Sequence, residues 1–177
     1  MATAVGSNPV ILRKAKLAIT SATFASAGDI IDATVNAPNL VLANYTRRHV
    51  ALTGGFTVSF PGSQEPSEAW NTGGVWPTRP SYQLTDSEMR ATATADGSVF
   101  YCVMPIFSRD QLNVTRVSLS PGQTHLLDLR SVGFVFGDSY QVNGEAKTQN
   151  QVFACENSTA TIQAVHACQI IVFSVAA

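Results

Sequence analysis

Charge is scarce in this chain of 177 residues: Asp, Glu, Lys and Arg together make up 13% of it, about half the usual share, and the formal net charge is -1. Without a surplus of Lys and Arg there is no broad basic face to hold phosphates, so nucleic acid is not an expected partner. Apolar residues reach 45%, too many for a disordered chain, which needs low hydrophobicity and high charge. No uninterrupted apolar run reaches membrane-spanning length, and no membrane partner is expected. Cysteine is limited to Cys102, Cys155 and Cys168. An odd count without a CxxC spacing points to buried reduced thiols, not to a disulfide framework. The opening MATAVGSNPVILRKAKLAI is broken by charges and holds no apolar core of a secretory signal, which points to synthesis in a cytosol. The glycosylation triplets at Asn44, Asn113 and Asn157 are then expected to stay bare.

Catalytic signatures are missing too. There is no GxSxG elbow, no GxxxxGK[ST] phosphate loop and no GxGxxG turn. The three histidines, His49, His125 and His166, show no HxH, HxxxH or HExxH spacing. An open metal site needs three or four converging N or O ligands, so no metal and no cofactor are expected. Asp128, Asp138 and Glu145 read as solvated acids near strand ends and turns. His166 and Cys168 would share a face if both lay on one strand, but no nucleophile, base and oxyanion partner can be named together. No catalytic residue is assigned.

What is present is strand after strand. Residues 98–107, 114–119, 131–140 and 168–175 are short apolar or alternating runs rich in β-branched and aromatic residues. Arg48–Leu52 and Phe56–Phe60 flank Gly54-Gly55, as two strands around a tight turn or one strand with a bulge would. Asp96-Gly97 and Asn143-Gly144 are hairpin signals. Ser21 to Val35 is the best helix candidate, weakened by Gly28 and the β-branched residues after it. The spacing predicts an all-β fold: a jelly-roll-like β-sandwich or barrel with an N-terminal arm. Residues 1–20 form the arm or edge strand, and residues 21–177 a single sandwich domain with a long loop at 61–80.

Two segments stand apart from that rhythm. Arg13, Lys14 and Lys16 sit among Val10, Ile11, Leu12 and Leu17, too apolar for a free tail and too charged for a core centre. A docked strand reconciles them, either inside the fold or laid on another subunit. The 61–80 loop carries both tryptophans, Trp70 and Trp76. They either cap the core from outside or form a contact patch for a partner subunit or a sugar. These five residues are the partner-contact candidates.

From Val117 onward the text resembles a known family. Val117 to His125, with its Pro121-Gly122 turn, and Val132 to Glu145, with Gly133, Gly137 and Gly144, are similar to the middle of a cupin-type jelly roll. Thr159–Ala164 and Cys168–Phe173 resemble its closing strand pair. Cupin enzymes carry two histidines one residue apart, a glutamate a few residues later and a further histidine on a second motif. Here His125 is followed by Leu127 at the second place and Asp128 as the next acid, while His166 lacks the surrounding turn residues. The resemblance therefore implies the architecture without the metal ligands.

Polar positions are filled by neutral residues such as Thr92, Thr94, Gln149 and Asn150, which desolvate more readily than charges and suit burial between subunits. Sparse charge, unpaired thiols, a basic-apolar arm and an absent active site together resemble the small cement or decoration subunits of phage and other viral capsids. That likeness implies a non-enzymatic structural protein on the virion surface, made in host cytoplasm, forming a homo-oligomer and bound to a major capsid protein. Two other readings stand beside it. One is a carbohydrate-binding module using Trp70 and Trp76. The other is a divergent cupin-type metalloenzyme using His125 and His166.

Overall fold

Alternating burial along short strands leaves each strand one face to hide, and two sheets packed face to face hide both. The computed structural model describes residues 3–4, 10–32, 48–60, 66–77, 90–107 and 109–176. Among them every regular element is a strand. The strands are β1 (Thr3–Ala4), β2 (Val10–Leu12), β3 (Leu17–Thr23), β4 (Ile30–Asp32), β5 (Arg48–Thr53) and β6 (Gly55–Ser59). They continue with β7 (Glu68–Asn71), β8 (Val75–Pro77), β9 (Arg90–Ala93), β10 (Val99–Pro105), β11 (Leu112–Leu119) and β12 (Thr124–Leu127). The last six are β13 (Ser131–Phe136), β14 (Tyr140–Val142), β15 (Glu145–Lys147), β16 (Gln151–Cys155), β17 (Ala160–Ala164) and β18 (Cys168–Val175). The all-β, jelly-roll-type class read from the sequence is the observed one.

The contacts divide the chain into two compact units. One is built mainly from residues 18–109, the other from residues 110–177 with residues 1–6 and 11–17. In the first, one sheet runs β3-β10-β5-β8 and the other β4-β9-β6-β7. In the second, the sheets run β11-β18-β13-β16-β1 and β12-β17-β14-β15. Adding eight to each label from β3 to β10 reproduces the second set of strand orders from the first. The chain therefore writes one eight-stranded topology twice. A single sandwich over residues 21–177 is not what forms, because each half closes its own pair of sheets around its own core.

The glycine-containing signals mark turns, though not always of the expected kind. β5 pairs with β10 and β8, while β6 pairs with β7 and β9, so Gly54 is neither a hairpin tip nor a bulge. It is a corner where the chain leaves one sheet for the other. Its φ of 72° and the Ser98 side chain, which a Cβ at this position would strike, both require glycine. Asp96-Gly97 likewise joins β9 of one sheet to β10 of the other. Asn143-Gly144 is a true two-residue hairpin, with Val142 opposite Glu145 and φ of 50° and 82°. The helix candidate at 21–35 is replaced by the end of β3, a turn at Gly28 and β4, its last three residues lying outside the described ones. Residues 66–77 of the expected loop hold β7 and β8. Residues 61–65 and 78–80 lie outside the described ones.

The N-terminal segment is part of the fold. Thr3 pairs with Ala154 and Ala4 with Phe153, which adds β1 to the free edge of β16. Leu12, Ala15, Leu17, Ala18 and Ile19 are all buried within the single chain, so no second subunit is needed to cover them. The arm laid on a neighbour gives way to an arm built into its own chain. Each large buried aliphatic lost costs about 2–5 kcal/mol, against a total of about 5–15 kcal/mol for a domain. Deleting residues 1–20 is therefore expected to abolish cooperative unfolding and the near-ultraviolet circular dichroism signal. A truncated chain that melts like the full-length one would refute this.

Candidate functional site

In a jelly roll the natural place for chemistry is the space between its two sheets. In the C-terminal unit that space is occupied by Leu127, Val135, Tyr140, Phe153, Cys155, Ile162 and Ile170, among others, most of them fully buried. β12 points alternate residues inward, and His125 and Leu127 share a face. His125 is half-buried, while Leu127 is 0% exposed. A Cβ added to Gly133 would lie 2.7 Å from Leu127 Cδ1 and 2.9 Å from its Cδ2. The isobutyl group of Leu127 thus fills the room that a side chain at 133 would take. The interior here is lined mainly by apolar side chains, with the Tyr140 hydroxyl turned to the Gln149 carbonyl.

His166 lies outside that core. It sits in the turn before β18, where its Nδ1 is 3.0 Å from Asp138 Oδ1, and both side chains are largely exposed. Because His166 is not on the strand, it does not share a face with buried Cys168. Among the described residues no group of three His, Cys, Asp or Glu side chains could hold a metal ion. The described residues do not fit the metal that cupin enzymes carry.

The N-terminal unit fills its interior with aromatic rings. Phe24, Phe56 and Phe100 meet with centroids 5.1–6.0 Å apart. Trp70, only 1% exposed, stands across the ladder from Phe56. Its ring stacks on Trp76 at 5.0 Å and 14° and meets the tilted His49 ring at 5.1 Å. Its Nε1 donates to Glu68 Oε2 at 3.1 Å. His49 pairs across the ladder with Trp76 and is buried. Trp70 is too deeply buried to present a face to a sugar, so the two tryptophans do not form a paired platform. Trp76 stays half-buried on this core.

The three basic candidates lie in the turn between β2 and β3. Lys14 is committed within the chain: its N–H donates to Glu156 Oε1 at 2.8 Å and its Nζ to Asn157 Oδ1 at 2.7 Å. Lys16 has a φ of 59° and is half-buried, and Arg13 is exposed.

The ionisable groups in the core are held neutral. Burial pushes the Cys155 thiol up to about 11 and raises Cys168 as well. Burial, then the nearby Cys168, drives Tyr140 well above the ordinary phenol range, and its hydroxyl donates to the Gln149 carbonyl at 2.8 Å. These are protonated structural groups, the opposite of activated nucleophiles.

Two outcomes follow from this packing. A Cβ at Gly74 would run into the Trp76 ring. Gly74→Ala is therefore expected to push the indole off Trp70, shift tryptophan emission to the red and cost about 1–3 kcal/mol. Unchanged emission would count against the stack. Between pH 9 and about 11 the unfolded chain loses the Cys155 proton while the folded chain keeps it. Stability should then fall as the pH rises across that window. Urea titrations from pH 8 to 11 on the wild type and Cys155→Ala check this: the variant should show a shallower decline, and parallel curves would contradict it.

No protein-family model and no curated protein matches the sequence. Solved structures do match. HutD from Pseudomonas fluorescens SBW25 aligns over 92% of this chain and 80% of its own, at 12% identity and a TM-score of 0.52. AerE from Microcystis aeruginosa aligns over 92% and 88%, at 5% identity and a TM-score of 0.52. A cupin 2 conserved barrel domain protein from Leptotrichia buccalis aligns over 99% and 88%, at 10% identity and a TM-score of 0.52. The capsid assignment is overturned by this company, which is bacterial and cupin-like. Its main physical support, an arm seeking a partner, is gone as well. The chain has a cupin-type jelly-roll fold.

Proposed function

We propose that this chain is a two-unit cupin-fold protein that acts by binding at its surface, with the unit interiors serving as packed cores. The observation that carries this is Leu127 seated over Gly133, which fills the interior at the inward position next after His125 on β12. The aromatic packing around Trp70 supports the same reading for the N-terminal unit. The cupin-type fold supports a place among proteins of this architecture, and the divergent metalloenzyme is the reading against which it must be tested. That enzyme would need His125 and His166 to converge on one ion. His125 is on β12 beside a filled core, and His166 is paired with Asp138 at the surface.

Reconstitution distinguishes the two. The purified protein, incubated with iron(II), manganese(II), nickel(II) or zinc and then desalted, is expected to retain far less than one metal per chain and to keep its melting temperature. Retention of about one ion per chain, lost in His125→Ala, would overturn the proposal and establish a metal centre.

A further inference from the structure

On the outer face of the β11-β18-β13 sheet, Ser118 stands opposite Gln169 and Gln169 stands opposite Phe136. Directly opposed residues lie about 5 Å apart, so the three side chains form a row about 10 Å long across three strands. Two residues earlier on the same face of β13, Phe134 is 0% exposed, whereas Phe136 is only half-buried. The face therefore emerges at this end of the sheet. There the surface sinks into an open depression of about 390 Å³, lined by the row together with Leu119, Ser120, Ala167 and Cys168. That volume lies at the lower end of the range for small-molecule sites.

The lining has a definite chemistry. It offers one aromatic ring, two hydroxyls, one carboxamide and the aliphatic Leu119, and burial holds the Cys168 thiol neutral. No formal charge lines it. The charged neighbours by sequence are Arg116, exposed two residues before Ser118 on the same face of β11, and His166 and Asp138, which are bonded to each other at 3.0 Å. A charged ligand would find no counter-ion among the lining side chains themselves. A neutral ligand with an apolar face and several hydroxyls would lay that face on Phe136 and exchange hydrogen bonds with Ser118, Ser120 and Gln169.

We infer that this depression is a binding site for a neutral polyhydroxylated molecule about the size of a single sugar ring. It deepens the surface-binding reading and rests on it. Affinity is weak, in the millimolar range expected of a shallow site with few anchors.

The test is a ¹H–¹⁵N NMR titration of the full chain with D-glucose and myo-inositol, and with glucose 6-phosphate as the charged counterpart. Glucose or inositol is expected to shift the amides of residues 118–120, 136–137 and 167–169, and glucose 6-phosphate to bind no better. Gln169→Ala and Phe136→Leu, which keep a foldable sheet, should each weaken binding about fivefold with the melting temperature unchanged. No shift at about 100 mM sugar, shifts confined to other residues, or tighter binding of the phosphate would each overturn the site. The two proposals fail separately. A chain that retains a metal yet shows these shifts keeps the sugar site and loses the metal-free reading. A metal-free chain without them does the reverse.

Discussion

The contact between Leu127 and Gly133 governs what the C-terminal unit can do. A jelly roll can keep a hollow between its sheets only if inward positions carry small or polar groups that hold water or a ligand. Here a branched aliphatic chain crosses to the facing sheet and rests where a Cβ would be. Tyr140, Phe153 and Ile170 pack the rest of the space. Once that space is hydrocarbon, every ionisable group in it must stay uncharged, which is why Cys155 and Tyr140 are both pushed upward by burial. Packing and proton affinity are one constraint seen twice.

Low charge follows from the same constraint. Val135 and Ile170 face the core of the C-terminal unit, while Val132, Phe134, Ile171 and Phe173 project from the other side of the same strands. All six are 0% exposed. A strand buried on both faces has no position for Lys or Glu, and reads as a continuous apolar run. Sparse charge, which by composition alone suits burial between subunits, is accounted for in part by burial within one chain. Leu12, Leu17 and Ile19 of the N-terminal segment belong to the same economy.

Strand positions were legible because β-branched and aromatic runs are local. Residues 168–175 coincide with β18, and residues 131–136 of a longer expected run form β13. Connectivity was less legible. Gly54 and Gly97 announce a change of direction, but only pairing shows that each sends the chain to the opposite sheet. The repeated topology left no trace in residue identity, because β5 (RHVALT) and β13 (SVGFVF) hold equivalent places with different side chains. What repeats is strand order, and alternation of apolar residues is common to every strand. β1 was hidden for another reason: two residues carry no strand signal, and their pairing with β16 spans most of the chain.

The candidate sites divide along the same line. His125, Trp70 and Trp76 were visible as unusual residue types, and residue type alone could not tell an interior ring from a presented one. Trp70 illustrates this, since its place opposite Phe56 turns it into the core. The row of Ser118, Gln169 and Phe136 had no signal in sequence, because it exists only in the register of three strands far apart in the chain. Ordinary residues become a site when register aligns them where a buried face meets solvent. In a chain whose interiors are filled, such an emergent edge is where recognition has room to occur.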